Sequence, residues 1–166
     1  MIITKQKELK EILKYLEGGK KIFLIGCGEC STTCKTGGED EVKNIKEALE
    51  KEGKVVTGYS IPSAPCVAAK VKIELAKNRK AIESSEAILV FACGLGIQSV
   101  KDNLRSDRPI HTGCDTLFMG QVDSKNAFLE RCAACGDCGL ELTGTEPFHT
   151  VYLSGQIGLD PASGNL

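Results

Sequence analysis

Apolar positions change period several times along the first hundred residues, and each change marks an element. Over residues 5–17, Leu9, Ile12, Leu13 and Leu16 recur on one helical face, and Gly18-Gly19 ends the run. Lys20 to Gly26 (KKIFLIG) is a short apolar run rich in branched side chains that closes on Gly-Cys-Gly, the form of a buried parallel strand. From Asp40 to Glu52 the helical period returns, with Val42, Ile45, Ala48 and Leu49 inward and Gly53 closing it. Lys54 to Ser60 (KVVTGYS) reads as a second strand, and Pro62 and Pro65 break the chain before Cys66. Val67 to Ser84 reads as one helix with Val71, Leu75 and Ile82 buried. Ala87 to Ala92 (AILVFA) is a third buried strand, which delivers Cys93 into Gly94-Leu95-Gly96.

Strands alternating with helices of this length predict right-handed βαβ units, and so an α/β protein with a Rossmann-like parallel sheet. The position of the cysteines then becomes informative. Cys27 and Cys93 follow strands directly and Cys66 lies in a loop after one, which puts all three at the carboxyl edge of the sheet, where open α/β folds bind ligands. Residues far apart in sequence are thereby expected to converge.

The chain of 166 residues holds nine cysteines, and eight of them form a pattern. Cys27-x2-Cys30-x3-Cys34 stands early, Cys132-x2-Cys135-x2-Cys138 stands late, and Cys66 and Cys93 lie between. Two or three residues between thiolates let a tight turn aim several sulfurs at one centre, as iron–sulfur clusters and four-thiolate zinc sites both require. A Cys-x2-Cys pair also serves as a redox dithiol, but a third cysteine at close spacing in both places weighs against that use. Cys114 belongs to neither spacing and reads as a small buried hydrophobe. His111 and His149 sit in loop-like surroundings and are expected to be exposed. Gly26-Cys27-Gly28 and Gly94-x-Gly96 read as tight turns rather than phosphate cradles. Glu39 and Asp40, behind Gly37-Gly38, would repel phosphate from the helix they open.

So many cysteines could instead form the disulfide framework of a small secreted domain. Against that, the chain opens on MIITKQKELKEILKYLEGG, a charged amphipathic stretch without the apolar core of a secretory signal, and no apolar run reaches the roughly twenty residues of a membrane span. The expectation is a reduced, cytoplasmic protein without membrane insertion. A formal charge of −1 and the lack of Trp argue against a nucleic-acid surface. Length and cysteine placement divide the chain into an α/β domain over 1–124 with the first cysteine motif, a metal-binding segment over 125–144, and an atypical tail over 145–166. No nucleophile–base pair appears with supporting spacing, so no catalysis is assigned to the chain by itself.

Ile25-Gly-Cys-Gly-Glu-Cys-Ser-Thr-Thr-Cys-Lys-Thr-Gly-Gly-Glu39, Thr116-Leu-Phe-Met-Gly120 and Arg131-Cys-Ala-Ala-Cys-Gly-Asp-Cys-Gly-Leu-Glu-Leu-Thr-Gly144 together resemble the MetV-type iron–sulfur subunit of methylenetetrahydrofolate reductase. That family carries the methylenetetrahydrofolate reductase C-terminal domain, and the similarity runs from about Lys20 to Gly144. The resemblance implies an accessory subunit of one-carbon metabolism beside a flavin-containing catalytic subunit, passing electrons through one or two [4Fe–4S] clusters. The alternative is a zinc-stabilised structural or interaction module in which no electron moves; a thiol–disulfide redox protein is a third reading.

The chain also departs from that family. Members usually carry further cysteines after the late motif, whereas here the sequence runs on as Thr145-Glu-Pro-Phe-His149, with none beyond Cys138. A four-thiolate site there would have to recruit Cys93, Cys114 or Cys66, or accept water or His149. The stretch from Val151 to Leu166 is similar to the first strand and turn of the Rid family of enamine/imine deaminases. That family's catalytic residues lie beyond such a segment, so none is carried over. A fusion remnant or misjoined frame is the preferred account of 145–166, a plain hairpin the alternative, and the segment is expected to be dispensable.

Overall fold

The computed structural model describes residues 1–132. By contacts the chain divides into two units, one of Thr4–Thr116 and one of Met1–Ile3 with the chain from Leu117 onward.

The larger unit is built on a four-stranded sheet of β2 (Lys21–Ile25), β3 (Val55–Ser60), β4 (Ala87–Val90) and β5 (Ile110–Thr112), in the order β3-β2-β4-β5 and parallel throughout. The strands at its centre are buried on both faces, Ile22 to Ile25 and Ile88 to Val90 being fully inaccessible. That explains why they appear in sequence as continuous apolar runs rather than alternating ones. On one face, Ile12 and Leu16 of α1 (Leu9–Tyr15) and its C-terminal edge pack with Val42, Ile45 and Leu49 of α3 (Glu39–Lys51) against Ile22, Leu24, Leu89 and Phe91. On the other, α4 (Ala68–Lys77), α5 (Arg79–Ser84) and α6 (Gly94–Asn103) bring Val71, Leu75, Ile82 and Val100 onto Phe23, Ile25, Ile88 and Val90. The α/β class and the Rossmann-like sheet expected from the sequence are present.

Several elements differ from expectation. The expected helix over 5–17 is shorter, because β1 (Ile2–Gln6) occupies its start. The single helix over 67–84 is broken at Asn78, whose side-chain amide donates to the Glu74 carbonyl at 2.9 Å and so caps α4. Gly94 and Gly96 lie in the first turn of α6 rather than in a free turn. A one-turn helix, α2 (Cys30–Thr33), forms inside the first cysteine motif. A three-stranded sheet of order β1-β6-β7 is completed by β6 (Cys114–Val122) and β7 (Phe128–Cys132), which pair antiparallel.

His111 is half-buried on β5 rather than exposed in a loop, and its ring stacks on Tyr15 with centroids 6.4 Å apart and planes 3° from parallel. Burial lowers the imidazole below its ordinary 6.5. The unfolded chain then binds that proton more readily, so the contribution is intact above about pH 6.5 and declines as pH falls from there toward the folded value. We expect thermal melts of His111→Gln to depend less on pH than wild type between about pH 5 and 7. Parallel curves for the two proteins would contradict this.

Candidate metal centre

Each of the four parallel strands leads into a cysteine past its carboxyl end. Cys27 follows β2, Cys66 follows β3, Cys93 follows β4 and Cys114 follows β5. The sheet order reverses direction at β2, from which the chain crosses first to β3 and then back to β4 on the other side. The crevice beyond β2 and β4 is thus a topological switch point, the usual ligand position in such sheets, and Cys27 and Cys93 flank it.

The first motif wraps this crevice through local hydrogen bonds. The Cys27 amide donates to the Gly37 carbonyl at 2.8 Å, and the Thr32 hydroxyl donates to the Cys27 carbonyl at 2.7 Å. The Cys34 amide donates to the Cys30 carbonyl at 2.9 Å, so these two residues stand one helical turn apart on the same side of α2. Ser31, between them in sequence, is fully buried, and its hydroxyl has no hydrogen-bond partner among the described residues. The amides of Thr36 and Gly37 both return to the Ser31 carbonyl, at 2.8 and 3.2 Å, and close the loop.

Cys93 caps α6. Burial pushes its thiol up, while the N–H groups of Gly96 and Leu95 oppose that by favouring the thiolate, although none makes a full capping hydrogen bond to the sulfur. Charge on Cys27 and Cys30 would push in the same direction as burial, more weakly than these amides oppose it. At the level of the backbone, Cys27 and Cys93 follow the paired ends of two neighbouring parallel strands, Ile25 standing opposite Val90. The Cys66 loop approaches the same edge from the β3 side. The Gly28 amide donates to the Pro62 carbonyl at 2.9 Å, and a Cβ added to Gly96 would come 3.3 Å from the Pro65 ring. Cys66 itself is exposed.

Sequence reasoning set Cys114 aside as a packing residue, and its burial agrees: it is 3 % exposed and belongs to the core with Phe91 and Val42. Its thiol donates to the Thr36 carbonyl at 3.3 Å, and burial pushes it up to about 12. Charge on Asp115, and more weakly on Cys27 and Cys34, acts on it in the same direction as burial. A sequence signal for that position exists: Ile110-His-Thr-Gly-Cys114 is a short β-branched run ending in Gly-Cys, as is Leu24-Ile-Gly-Cys27.

The candidate donors on this edge are Cys27, Cys30, Cys34 and Cys93, with exposed Cys66 in the neighbouring loop. Thiols, backbone N–H groups at a helix start and an orphaned buried hydroxyl beside Cys30 fit a sulfur-bound iron cluster, whose sulfurs accept such hydrogen bonds. A single tetrahedral zinc would draw its thiolates to about 3.8 Å of one another, given an ion–sulfur distance of about 2.3 Å. Among the described residues no group of three or more His, Cys, Asp or Glu side chains is gathered tightly enough to hold one metal ion. In the late motif, Cys132 ends β7 and is half-buried, whereas Cys135, Cys138 and His149 lie outside the described residues, as does the whole expected tail.

No family model matches the chain, and comparison with curated proteins gives no match. No helix among the described residues is long and apolar enough to cross a membrane.

Proposed function

We propose that this chain is an iron–sulfur electron-transfer subunit, working beside a flavin-containing methylenetetrahydrofolate reductase subunit in the cytoplasm. The observation that supports the reading is that Cys27 and Cys93 follow the carboxyl ends of neighbouring β2 and β4, at the switch point of a parallel sheet, with Cys30 and Cys34 in the loop directly after Cys27. The assignment to one-carbon metabolism rests on the resemblance of the cysteine motifs and their flanking glycines.

Cys27, Cys30, Cys34 and Cys93 would hold one [4Fe–4S] cluster, with Cys66 as the further candidate ligand, and Cys132, Cys135 and Cys138 would contribute to a second. A bound cluster supplies reversible one-electron transfer at a potential set by charge, burial and hydrogen bonds to sulfur. The chain's own contribution is to fix those terms. Half-buried Cys30 and Cys34 and buried Cys27 and Cys93 limit water at the thiolates, and the Leu95 and Gly96 amides stabilise negative charge at Cys93.

Protein purified without exposure to air is expected to contain about four to eight irons per chain with matching sulfide and a brown colour. Stoichiometric zinc with negligible iron, colourless because zinc is d10, would replace this reading with the structural module. Free thiols without metal would leave the thiol–disulfide protein.

A further inference from the structure

The amino edge of the same sheet, opposite the cysteines, holds a cleft of about 950 Å3 between α4, α5 and the loop that joins α6 to β5. That is the size of a small-molecule pocket. Its floor is apolar, made by Leu75 and Ile82 with half-buried Leu104. Its charged lining is biased: Lys72, Arg79, Arg105 and Arg108 face only Glu83 and Asp107. One of those pairs is already neutralised, because Arg79 Nε bridges Glu83 at 2.7 Å.

Arg108 is the distinctive group. Its Nε donates to the Ser85 carbonyl at 2.6 Å, its Nη1 to the Ser106 hydroxyl at 2.7 Å and its Nη2 to the Glu83 carbonyl. All three acceptors are uncharged. The guanidinium is therefore held in place without a carboxylate, and one N–H on each terminal nitrogen remains to donate. Among the described residues neither Arg105 nor Lys72 makes an ion pair either. A fixed guanidinium fork without a carboxylate partner, in a lining with excess positive charge above an apolar floor, favours a ligand with an anionic head and an apolar body, since guanidinium geometry matches carboxylate and phosphate.

We propose that this cleft is a binding site for a small amphiphilic anion, a carboxylate or phosphate carried on an apolar body. It is separate from the cysteine edge and does not depend on what the cysteines bind.

The probe is 8-anilinonaphthalene-1-sulfonate, an apolar bicycle with one fixed negative charge, titrated into the full-length protein by fluorescence. Octanoate, octyl phosphate and octanol then serve as competitors, and hydrogen exchange locates the bound probe. The site predicts saturable binding of one probe, protection of residues 103–109, and displacement by octanoate or octyl phosphate but much less by octanol. Whichever of the two anions competes better identifies the head group. Replacing Lys72 and Arg105 together by Gln should weaken the probe roughly tenfold without altering the melt, since both side chains are exposed and unpaired. Arg108→Gln should weaken it at least as much; because Arg108 also ties down backbone, the exposed pair is the decisive variant. Octanol competing as well as octanoate, an unchanged affinity in Lys72→Gln/Arg105→Gln, or protection elsewhere than 103–109 would each overturn the proposal.

Discussion

Gly37→Ala is expected to destabilise this protein by about 3 kcal/mol or more, a fall in Tm on the order of 10 °C, and, on the proposed reading, to lower iron content with it. A Cβ at this position would lie 2.2 Å from the Phe91 carbonyl oxygen and 2.8 Å from the Phe91 Cβ. Neither neighbour can move cheaply. Phe91 is fully buried, and its amide donates to the Ile25 carbonyl at 2.7 Å, so it extends the register of the two central strands. Gly37 is fixed from its other side too, since its carbonyl accepts the Cys27 amide. Relief of the clash would have to push the loop 34–38 away from β4 and take Cys27 with it, so fold and thiol geometry fail together. Gly19→Ala is the matching control. Its added Cβ would meet nothing nearer than 3.9 Å, and a change within about 0.5 kcal/mol is expected. Chemical denaturation of the three proteins measures the difference; equal midpoints would mean that the loop yields far more easily than its contacts imply.

What made the sheet legible was burial. Lys21–Ile25 and Ala87–Val90 lie between two helical layers, so their sequence shows an unbroken apolar run that only a covered strand tolerates. Residues 39–51 were equally plain, because an exposed helix must alternate Val42, Ile45 and Leu49 with charge. The elements that escaped notice lack such a pattern. β5 is three residues long, too short for any period to show. β7 is exposed over nearly its whole length and β6 is buried only at Cys114 and Gly120, so polar residues stand on both sides of each strand and no face is written into the sequence. β1 was absorbed into the helical run behind it, where Lys5, Lys7 and Lys10 continue a charged pattern across the boundary. α6 was hidden by glycine in its first turn, a residue that elsewhere marks a break.

The site followed the sheet. Once β2 and β4 are recognised, the placement of Cys27 and Cys93 at one edge needs no further information, whereas Cys114 reads correctly as a buried packing residue but without the β5 strand end that it follows. The side-chain facts could not be read from sequence at all: that Cys114 spends its proton on the Thr36 carbonyl, and that Thr36 is itself held by a 2.6 Å hydrogen bond to Thr4. Those depend on tertiary packing, which local spacing does not encode.

Cys93→Ala is expected to remove one cluster's worth of iron, about four per chain, and to abolish the same reduced-state EPR signal that Cys30→Ala abolishes. The two residues are far apart in sequence, so a shared loss requires a shared centre. Loss of fold is a poor alternative explanation, because replacing a small thiol at the start of α6 removes a single atom from a site that is already 9 % exposed, a cost of about 1 kcal/mol. Cys114→Ala supplies the contrast. That residue is deeper, donates to the Thr36 carbonyl and sits in the core, so its loss should lower Tm while leaving iron and EPR unchanged. A ligand and a packing residue at the same sheet edge are thereby separated by which measurement moves. If Cys93→Ala and Cys66→Ala both retain full iron and an unaltered spectrum, the shared strand edge does not make a shared cluster, and the fourth ligand of the first motif must come from elsewhere in the chain or from a partner. If Cys114→Ala loses iron instead, β5 rather than β4 completes the site, and the buried Cys114 thiol exchanges its hydrogen bond to the Thr36 carbonyl for a metal.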